Sequence, residues 1–221
     1  VTAVLAHRGA TSHFTENTVA AFAEAGRIGA DGVELDVRRS ADGALVVHHD
    51  AEIPGVGPVA AVRARDLPAW VPLLDGALDA CKGMVVNVEI KSDGGEALPR
   101  STAMALAELG WTERVVVSSF DAACLDIVRR SDSRLSVGWL VGWTVDAPAA
   151  LLQATERGYQ GIHPFVNLVH GPLVTQAHAL GLAVRVWTVN SPDDLRAMVG
   201  LGVDAVVTDR PEEALVIARA G

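Results

Sequence analysis

Cysteine is scarce in this chain: Cys81 and Cys124 are the only two among 221 residues, each inside an apparent helix. They offer neither a disulfide framework nor metal-ligand spacing, so two reduced thiols packed in a core are expected. Positive charge is also short. Eighteen Lys and Arg against 27 Asp and Glu leave a formal net charge of -9. That balance disfavours nucleic acid or an anionic membrane as the main partner and suits cation binding. No run approaches the roughly eighteen apolar residues of a membrane span, so no stable membrane insertion is expected. No basic-then-apolar signal segment opens the chain, and the expectation is a cytoplasmic protein, with a start at Val1 compatible with a trimmed terminus. Neither a G-x-G-x-x-G turn after the first apolar run, nor a G-x-S-x-G elbow, nor a G-x-x-x-x-G-K-[ST] loop occurs. Dinucleotide binding, acyl transfer by serine and nucleotide hydrolysis therefore lack sequence support.

What is present is alternation. Short Val- and Ile-rich runs beginning at Val4, Val33, Met84, Val115, Ser136, Gly161, Ala183 and Ala205 are separated by segments of helical spacing, from Val19–Gly26 to Pro211–Ala220. A ninth apolar run, Leu45–His49, has no helix before it and is the return strand of a hairpin. Eight strands alternating with helices, several of them continuous β-branched runs as in a sheet buried on both faces, predict an α/β chain folded as one (β/α)8 TIM barrel spanning 1–221. An open doubly wound sheet is the runner-up. Pro54, Gly55, Gly57, Pro58 and Pro68 break up residues 51–71, which read as a short insertion.

The stretch Val33–Asp50 organises the chemistry. Glu34 and Asp36 share one face of a strand, because side chains alternate with period two. Asp42-Gly43 signals a hairpin, and the returning strand ends in His48-His49-Asp50. A two-residue Asp42-Gly43 loop sets His49 opposite Asp36, whereas a three-residue loop sets His48 there.

In a TIM barrel the active site lies at the C-terminal strand ends. Here those ends are polar: His7-Arg8, Glu34 and Asp36, Glu89 and Lys91, Ser118-Ser119, His163, and Thr208-Asp209. Buried charges are costly unless paired or metal-bound, so three carboxylates converging with Arg8 and Lys91 imply a divalent cation and an anionic substrate. Glu34, Asp36 and Glu89 offer oxygen alone, which suits Mg²⁺ or Ca²⁺ over Zn²⁺. The alternative is a structural network in which those carboxylates simply pair with Arg8 and Lys91. His7 and one of His48 or His49 are the acid–base candidates, since imidazole titrates near neutrality. His163 and Trp187 are candidate pocket lining, with core packing the competing reading for both. Trp139 reads as core, and His13, His170 and His178 as surface or loop residues.

Together these residues resemble the glycerophosphodiester phosphodiesterase family. The matching segments are Ala6-His7-Arg8-Gly9, Glu16-Asn17-Thr18, Glu34-Leu35-Asp36-Val37, Asp42-Gly43 with Val46-Val47 and His49-Asp50, and Val88-Glu89-Ile90-Lys91. Ser119-Phe120, Trp187-Thr188-Val189-Asn190 and Gly202-Val203-Asp204 through Thr208-Asp209-Arg210-Pro211 follow in the family's order. The resemblance implies that His7 and His49 are the catalytic pair, that Glu34, Asp36 and Glu89 hold the metal, and that Arg8 and Lys91 contact phosphate. It selects His49 over His48, and with it the two-residue turn. It further implies that a glycerol hydroxyl attacks phosphorus, giving a cyclic glycerol phosphate that water opens to glycerol 3-phosphate. The expected partner is thus a small-molecule glycerophosphodiester.

The chain departs from the family pattern after Asp50. Many members carry a longer insertion that begins with an Arg-Thr-Thr segment, absent here, and the register resumes at Val71-Pro72-Leu73. The departure bears on the alcohol-side pocket. Sphingomyelinase D-like or lysophospholipase D-like phosphodiesterases, a catalytically silent barrel that binds a phosphorylated ligand, and a metal-independent phosphosugar isomerase or aldolase are the alternatives.

Overall fold

The computed structural model describes residues 1–220. In chain order the elements are β1 (Ala3–His7), α1 (Val19–Arg27), β2 (Gly32–Arg39), β3 (Leu45–Val47), β4 (Glu52–Ile53), β5 (Gly57–Pro58), α2 (Leu74–Ala80), β6 (Val85–Ile90), α3 (Ala97–Glu108) and β7 (Val115–Ser119). Then follow α4 (Ala122–Ser131), β8 (Ser136–Val141), α5 (Ala147–Glu156), β9 (Gly161–Pro164), α6 (Gly171–Ala179), β10 (Ala183–Val186), α7 (Pro192–Leu201), β11 (Ala205–Thr208) and α8 (Pro211–Ala220). β1, β2 and β6 to β11 pair in parallel in sequence order, and β1 pairs with both β2 and β11, which closes the ring. The closed barrel with its surrounding helices is the expected TIM barrel, and the open sheet is excluded.

Strand alternation divides the side chains into two environments. Val4, Ala6, Val33, Leu35, Val37, Val86, Val88 and Ile90 point outward and join the helices in one continuous core. Phe22 of α1 lies fully buried in that layer, a burial worth about 2–3 kcal/mol. The alternate positions face the barrel interior, where Leu5, Ala205 and Val207 form a small apolar floor. Above this floor the inward residues turn polar. In register, His7 lies beside Glu34, Glu34 beside Asn87, Asp36 beside Glu89, and Glu89 beside Ser118.

The hairpin departs from expectation. β3 pairs antiparallel with β2 as Val37 with Val47 and Arg39 with Leu45, and Ser40 N donates to Ala44 O, so the loop is the three residues Ala41-Asp42-Gly43. The two-residue turn is therefore wrong. Ser40 Oγ donates to Asp42 Oδ1 and accepts from Ala44 N, a local bonding pattern that closes the longer loop. In this register His48 stands opposite Asp36, and its N–H donates to Asp36 O at 3.0 Å. β3 ends at Val47, ahead of both histidines, and the chain turns away there. Residues 51–71 hold only the short β4–β5 ribbon and two single turns of 3₁₀ helix, which pack Ile53, Val59 and Val71 onto Val46.

Two helix starts are set locally. α3 begins at Ala97, with Pro99 in its first turn where a missing N–H costs nothing. α1 is capped by Thr18, whose Oγ1 accepts from Ala21 N at 3.2 Å, which leaves the Asn17 side chain free for another use.

The loop between β1 and α1 lies tightly on its helix. Gly9 has φ +91°, and a Cβ there would sit 2.7 Å from the Ala21 carbonyl carbon and Cβ. Gly9→Ala combines a disfavoured backbone conformation with a clash against main chain, and a loss of about 2–4 kcal/mol is expected in urea unfolding at unchanged m-value.

Candidate active site

The polar strand ends converge on a pocket of about 200 Å³ at the C-terminal mouth of the barrel. His7, Arg8, Glu34, His49, Asn87, Glu89 and Lys91 form its polar side. Phe120, Leu140, Trp187 and Val207 form an apolar side, and His163 and Thr188 complete it. A larger groove of about 480 Å³, between Phe14, Val19 and Trp70, has no titratable side chain in its lining, so chemistry rather than volume marks the site.

Glu34, Asp36 and Glu89 each bring a carboxylate oxygen to within 4.8 Å of the others, and Glu34 and Asp36 are buried. Their environments differ. Burial, followed by repulsion from Asp36 and Glu89, holds the Glu34 carboxyl well above the usual carboxylate range, and Glu34 Oε1 has no hydrogen-bond partner among the described residues. Burial acts on Asp36 too, but Lys91 and Arg8 outweigh it and keep Asp36 below its ordinary value. Lys91 Nζ lies 2.6 Å from Asp36 Oδ1 and 2.5 Å from Glu89 Oε1, while Asn17 Nδ2 donates to Asp36 Oδ2 at 2.7 Å. Arg8 Nη1 pairs with Glu16 at 2.9 Å and its Nε lies 3.4 Å from Asp36. The pairing network and the pocket-facing arrangement thus coexist. Three oxygen donors, one of them a buried atom with no partner, fit a hard divalent cation. Glu34, Asp36 and Glu89 are the residues that would hold it.

The histidines are braced from behind. His7 Nδ1 lies 2.6 Å from Asp209 Oδ1, and Asn190 Nδ2 donates to Asp209 Oδ2 at 2.5 Å. Asn190 Oδ1 in turn accepts from Asp209 N and Thr208 Oγ1. Burial alone would raise the Asp209 carboxyl, but its bond to His7 lowers it, so Asp209 is an acceptor and His7 carries its proton on Nδ1. His7 Nε2 is then the free nitrogen, 3.9 Å from Glu34 Oε2. His49 has the same arrangement, with Nδ1 2.8 Å from Asp50 Oδ1. Partial burial lowers the His49 pKa.

His49 reaches the pocket even though His48 holds the register position opposite Asp36. The His48 ring instead sits 6.0 Å from Trp70, and its Nδ1 lies 2.9 Å from Asp50 O. Backbone pairing and side-chain access separate here because both histidines lie beyond the last paired residue of β3. Arg38 donates to His49 O at 2.6 Å and 2.9 Å, which pins the segment.

Two site residues stand in left-handed backbone conformations, Arg8 at φ 57° and Asn17 at φ 55°. Asn visits this region readily, but for Arg it is costly, and the cost sits where Arg8 N donates to Glu34 Oε2 at 3.2 Å. His163 is buried at 1 % exposure and lines the pocket floor. Its imidazole is held neutral by burial and by Arg185. Trp187 lines the pocket, and Trp139 packs in the outer core as expected. His170 caps α6 through a bond from Leu173 N, and His13 and His178 pair with Glu212 and Asp204 at the surface. Asp209, Asn190, Asp50 and Asn17 were not assigned site roles from sequence. Their signal lay in strand-end position and in the motifs that contain them.

A family model described as the glycerophosphoryl diester phosphodiesterase family matches residues 7–213. The chain belongs to that family. It is accordingly a phosphoric diester hydrolase. A glycerophosphodiester phosphodiesterase of Caldanaerobacter subterraneus is 32% identical over 243 residues, covering 100% of this chain and 99% of the relative. The crystal structure of a glycerophosphodiester phosphodiesterase from Parabacteroides distasonis superposes with a TM-score of 0.87 at 27% identity, covering 99% of this chain and 97% of that one. An Oleispira antarctica phosphodiesterase in complex with the product sn-glycerol-3-phosphate has a TM-score of 0.86 at 24% identity, over 98% of this chain and 96% of that one. This last likeness speaks to the fold.

Two measurements test the geometry directly. In ¹⁵N-edited NMR of the ring nitrogens, neutral His7 is expected to carry its proton on Nδ1, and Asp209→Asn should shift it towards the Nε2–H tautomer. The raised Glu34 carboxyl stabilises the fold below its ordinary range near ~4.3 and loses that contribution as pH rises through its higher folded value. Glu34→Gln should therefore raise the Tm of cation-free protein at pH 8 by a few degrees, a gain that shrinks towards pH 4, and should remove the stabilisation that Mg²⁺ or Ca²⁺ gives the parent chain.

Proposed function

We propose that this chain hydrolyses glycerophosphodiesters to glycerol 3-phosphate and an alcohol, using one divalent cation, Mg²⁺ or Ca²⁺, and the His7–His49 pair. The observation that carries the reading is the convergence, in one pocket of about 200 Å³, of two histidines braced at Nδ1, a carboxylate triad, and Arg8 with Lys91. Resemblance to the family supports the same roles at the same positions.

The bound cation would neutralise charge on the phosphoryl oxygens. Arg8 and Lys91, on the same side of the pocket, add positive charge there, the guanidinium through its planar fork and the ammonium as a point charge. His49, its pKa lowered by burial, is an unprotonated imidazole near neutrality and can take the proton of the attacking glycerol hydroxyl. His7, with Nδ1 committed to Asp209, presents Nε2 and can protonate the leaving alcohol. The cyclic glycerol phosphate formed in this step is opened by water with the two roles reversed. Asp209 and Asp50 stabilise whichever ring is cationic, so neither histidine bears its charge unsupported.

His7→Ala and His49→Ala should each lower kcat for release of glycerol 3-phosphate by about 10²- to 10⁴-fold. His48→Ala, which alters the contact with Trp70, should leave most of the rate. A chelator should abolish turnover, and added Mg²⁺ or Ca²⁺ should restore it. Full activity in either of the first two variants overturns the assignment, and chelator-insensitive turnover of a phosphomonoester points to the isomerase or aldolase class.

A further inference from the structure

The pocket has two unlike sides, and the apolar one does not stop at its rim. Phe120 and Trp187 belong to the lining, and their rings meet edge to face with centroids 5.4 Å apart and planes at 89°. Trp187 touches Phe165 at 5.3 Å and 59°, and Phe165 meets Trp143 at 5.5 Å and 83°. Four aromatic side chains thus form one continuous strip from beside the catalytic groups to the outer surface. Its two ends are open to water, Phe120 at 50% exposure and Trp143 at 73%.

The strip is fixed in place. Trp187 Nε1 donates to His163 O at 2.6 Å, and Val166 N donates to Trp187 O at 2.8 Å, which ties the Phe165 segment to the Trp187 strand end. Trp139 Nε1 donates to Phe120 O at 3.2 Å. The Trp187 indole nitrogen is thereby committed to the strip's own support. Trp143 Nε1 is the one remaining polar side-chain atom, so the strip presents mostly ring surface.

We propose that this strip binds a hydrocarbon chain carried by the phosphodiester, so that the preferred substrates bear an alkyl or acyl substituent rather than a small polar headgroup alone. The proposal rests on the reading of the pocket as a phosphodiester site. With the phosphoryl group on the side of Arg8, Lys91 and the carboxylates, a substituent pointing away from them runs along Trp187 and out over Phe165 and Trp143. A quaternary ammonium fits poorly. Cation–π binding needs ring faces turned to an open centre, but here the edge of one ring packs into the face of the next, both at Phe120–Trp187 and at Trp143–Phe165. A hydroxyl-rich headgroup would find one side-chain donor along the strip, Trp143 Nε1 at its far end. A flexible chain loses little by lying on such a surface and removes its own apolar area and the strip's from water.

The test uses n-alkyl phosphates from butyl to octyl, below their micelle concentrations, titrated calorimetrically into the full chain with saturating Mg²⁺ or Ca²⁺. Inorganic phosphate is the reference. On a strip open on one side, Kd should fall about twofold per added methylene, against about fourfold for complete burial. Trp143→Ala should flatten the dependence beyond the first few carbons while the Kd of inorganic phosphate stays within about twofold, and Trp143→Phe should restore part of the slope. A Kd independent of chain length, or a slope equally steep in Trp143→Ala, overturns the proposal. A steep slope in a chain that hydrolyses no diester supports the strip and removes the catalytic reading. Turnover of glycerophosphoethanolamine with a flat series does the reverse.

Discussion

Carboxylates whose oxygens lie within 4.8 Å of one another inside a protein repel strongly, and at this barrel mouth Glu34, Asp36 and Glu89 stand at that spacing. Much of the surrounding structure answers that repulsion. Lys91 spans Asp36 and Glu89, Arg8 lies beside Asp36, and Asn17 leaves the helix-capping position to Thr18 in order to bond Asp36 Oδ2. Lys91 follows β6, while Arg8 and Asn17 both lie between β1 and α1. The compensation is uneven, since Asp36 is held ionised whereas Glu34 is pushed towards neutrality and keeps a bare oxygen. Unevenness of this kind suits a cation site, because a triad fully neutralised by its own lysine and arginine would gain little from a metal.

The two histidines are held differently. Both are oriented through Nδ1 by a carboxylate, but the partners differ in rigidity. Asp209 is held by Asn190, which also accepts from the Asp209 N–H and from Thr208, so His7 sits at the end of a closed network anchored on two strand ends. Asp50 is the residue next to His49 and is exposed, so His49 owes its place mainly to the two bonds from Arg38 to its carbonyl. The cost of holding Arg8 in a left-handed conformation belongs to the same economy, since that backbone turn aims its N–H at Glu34.

The barrel was legible in the sequence because its cause is repeated. Eight apolar runs of the right length, each followed by a helical spacing, admit few other closed arrangements. The polar residues that end those runs were legible for a related reason: a charge at the end of a Val-rich strand has to face the barrel mouth or be paired. The length of the hairpin loop was not. Loop length there depends on Ser40 and Asp42 bonding locally, a choice worth little energy and leaving no mark in hydrophobic spacing. The error in the turn does not keep His49 from the pocket, because both histidines follow the last residue pair of the β2–β3 ladder. Asp209 and Asn190 stayed unassigned because a carboxylate and an amide nineteen residues apart carry no signal of contact until two neighbouring strands bring them side by side.

The short 51–71 segment lies on one side of the mouth. It packs Ile53, Val59 and Val71 onto Val46, on the hairpin side of the barrel, and brings Trp70 against His48. No residue of the segment lines the pocket, and on the opposite side the loops after β7, β8 and β9 carry Phe120, Trp143 and Phe165. The charged half of the site is therefore built by the first strands and the hairpin, and the apolar half by the later ones. In the proposed reading, Arg8, Lys91 and a cation held by the carboxylates direct the charge of a phosphodiester to one half, which leaves its hydrocarbon substituent to the other. Selectivity for that substituent is, in that reading, a property of the strip of rings, open to change by substitution in three loops away from Arg8, Lys91 and the two histidines.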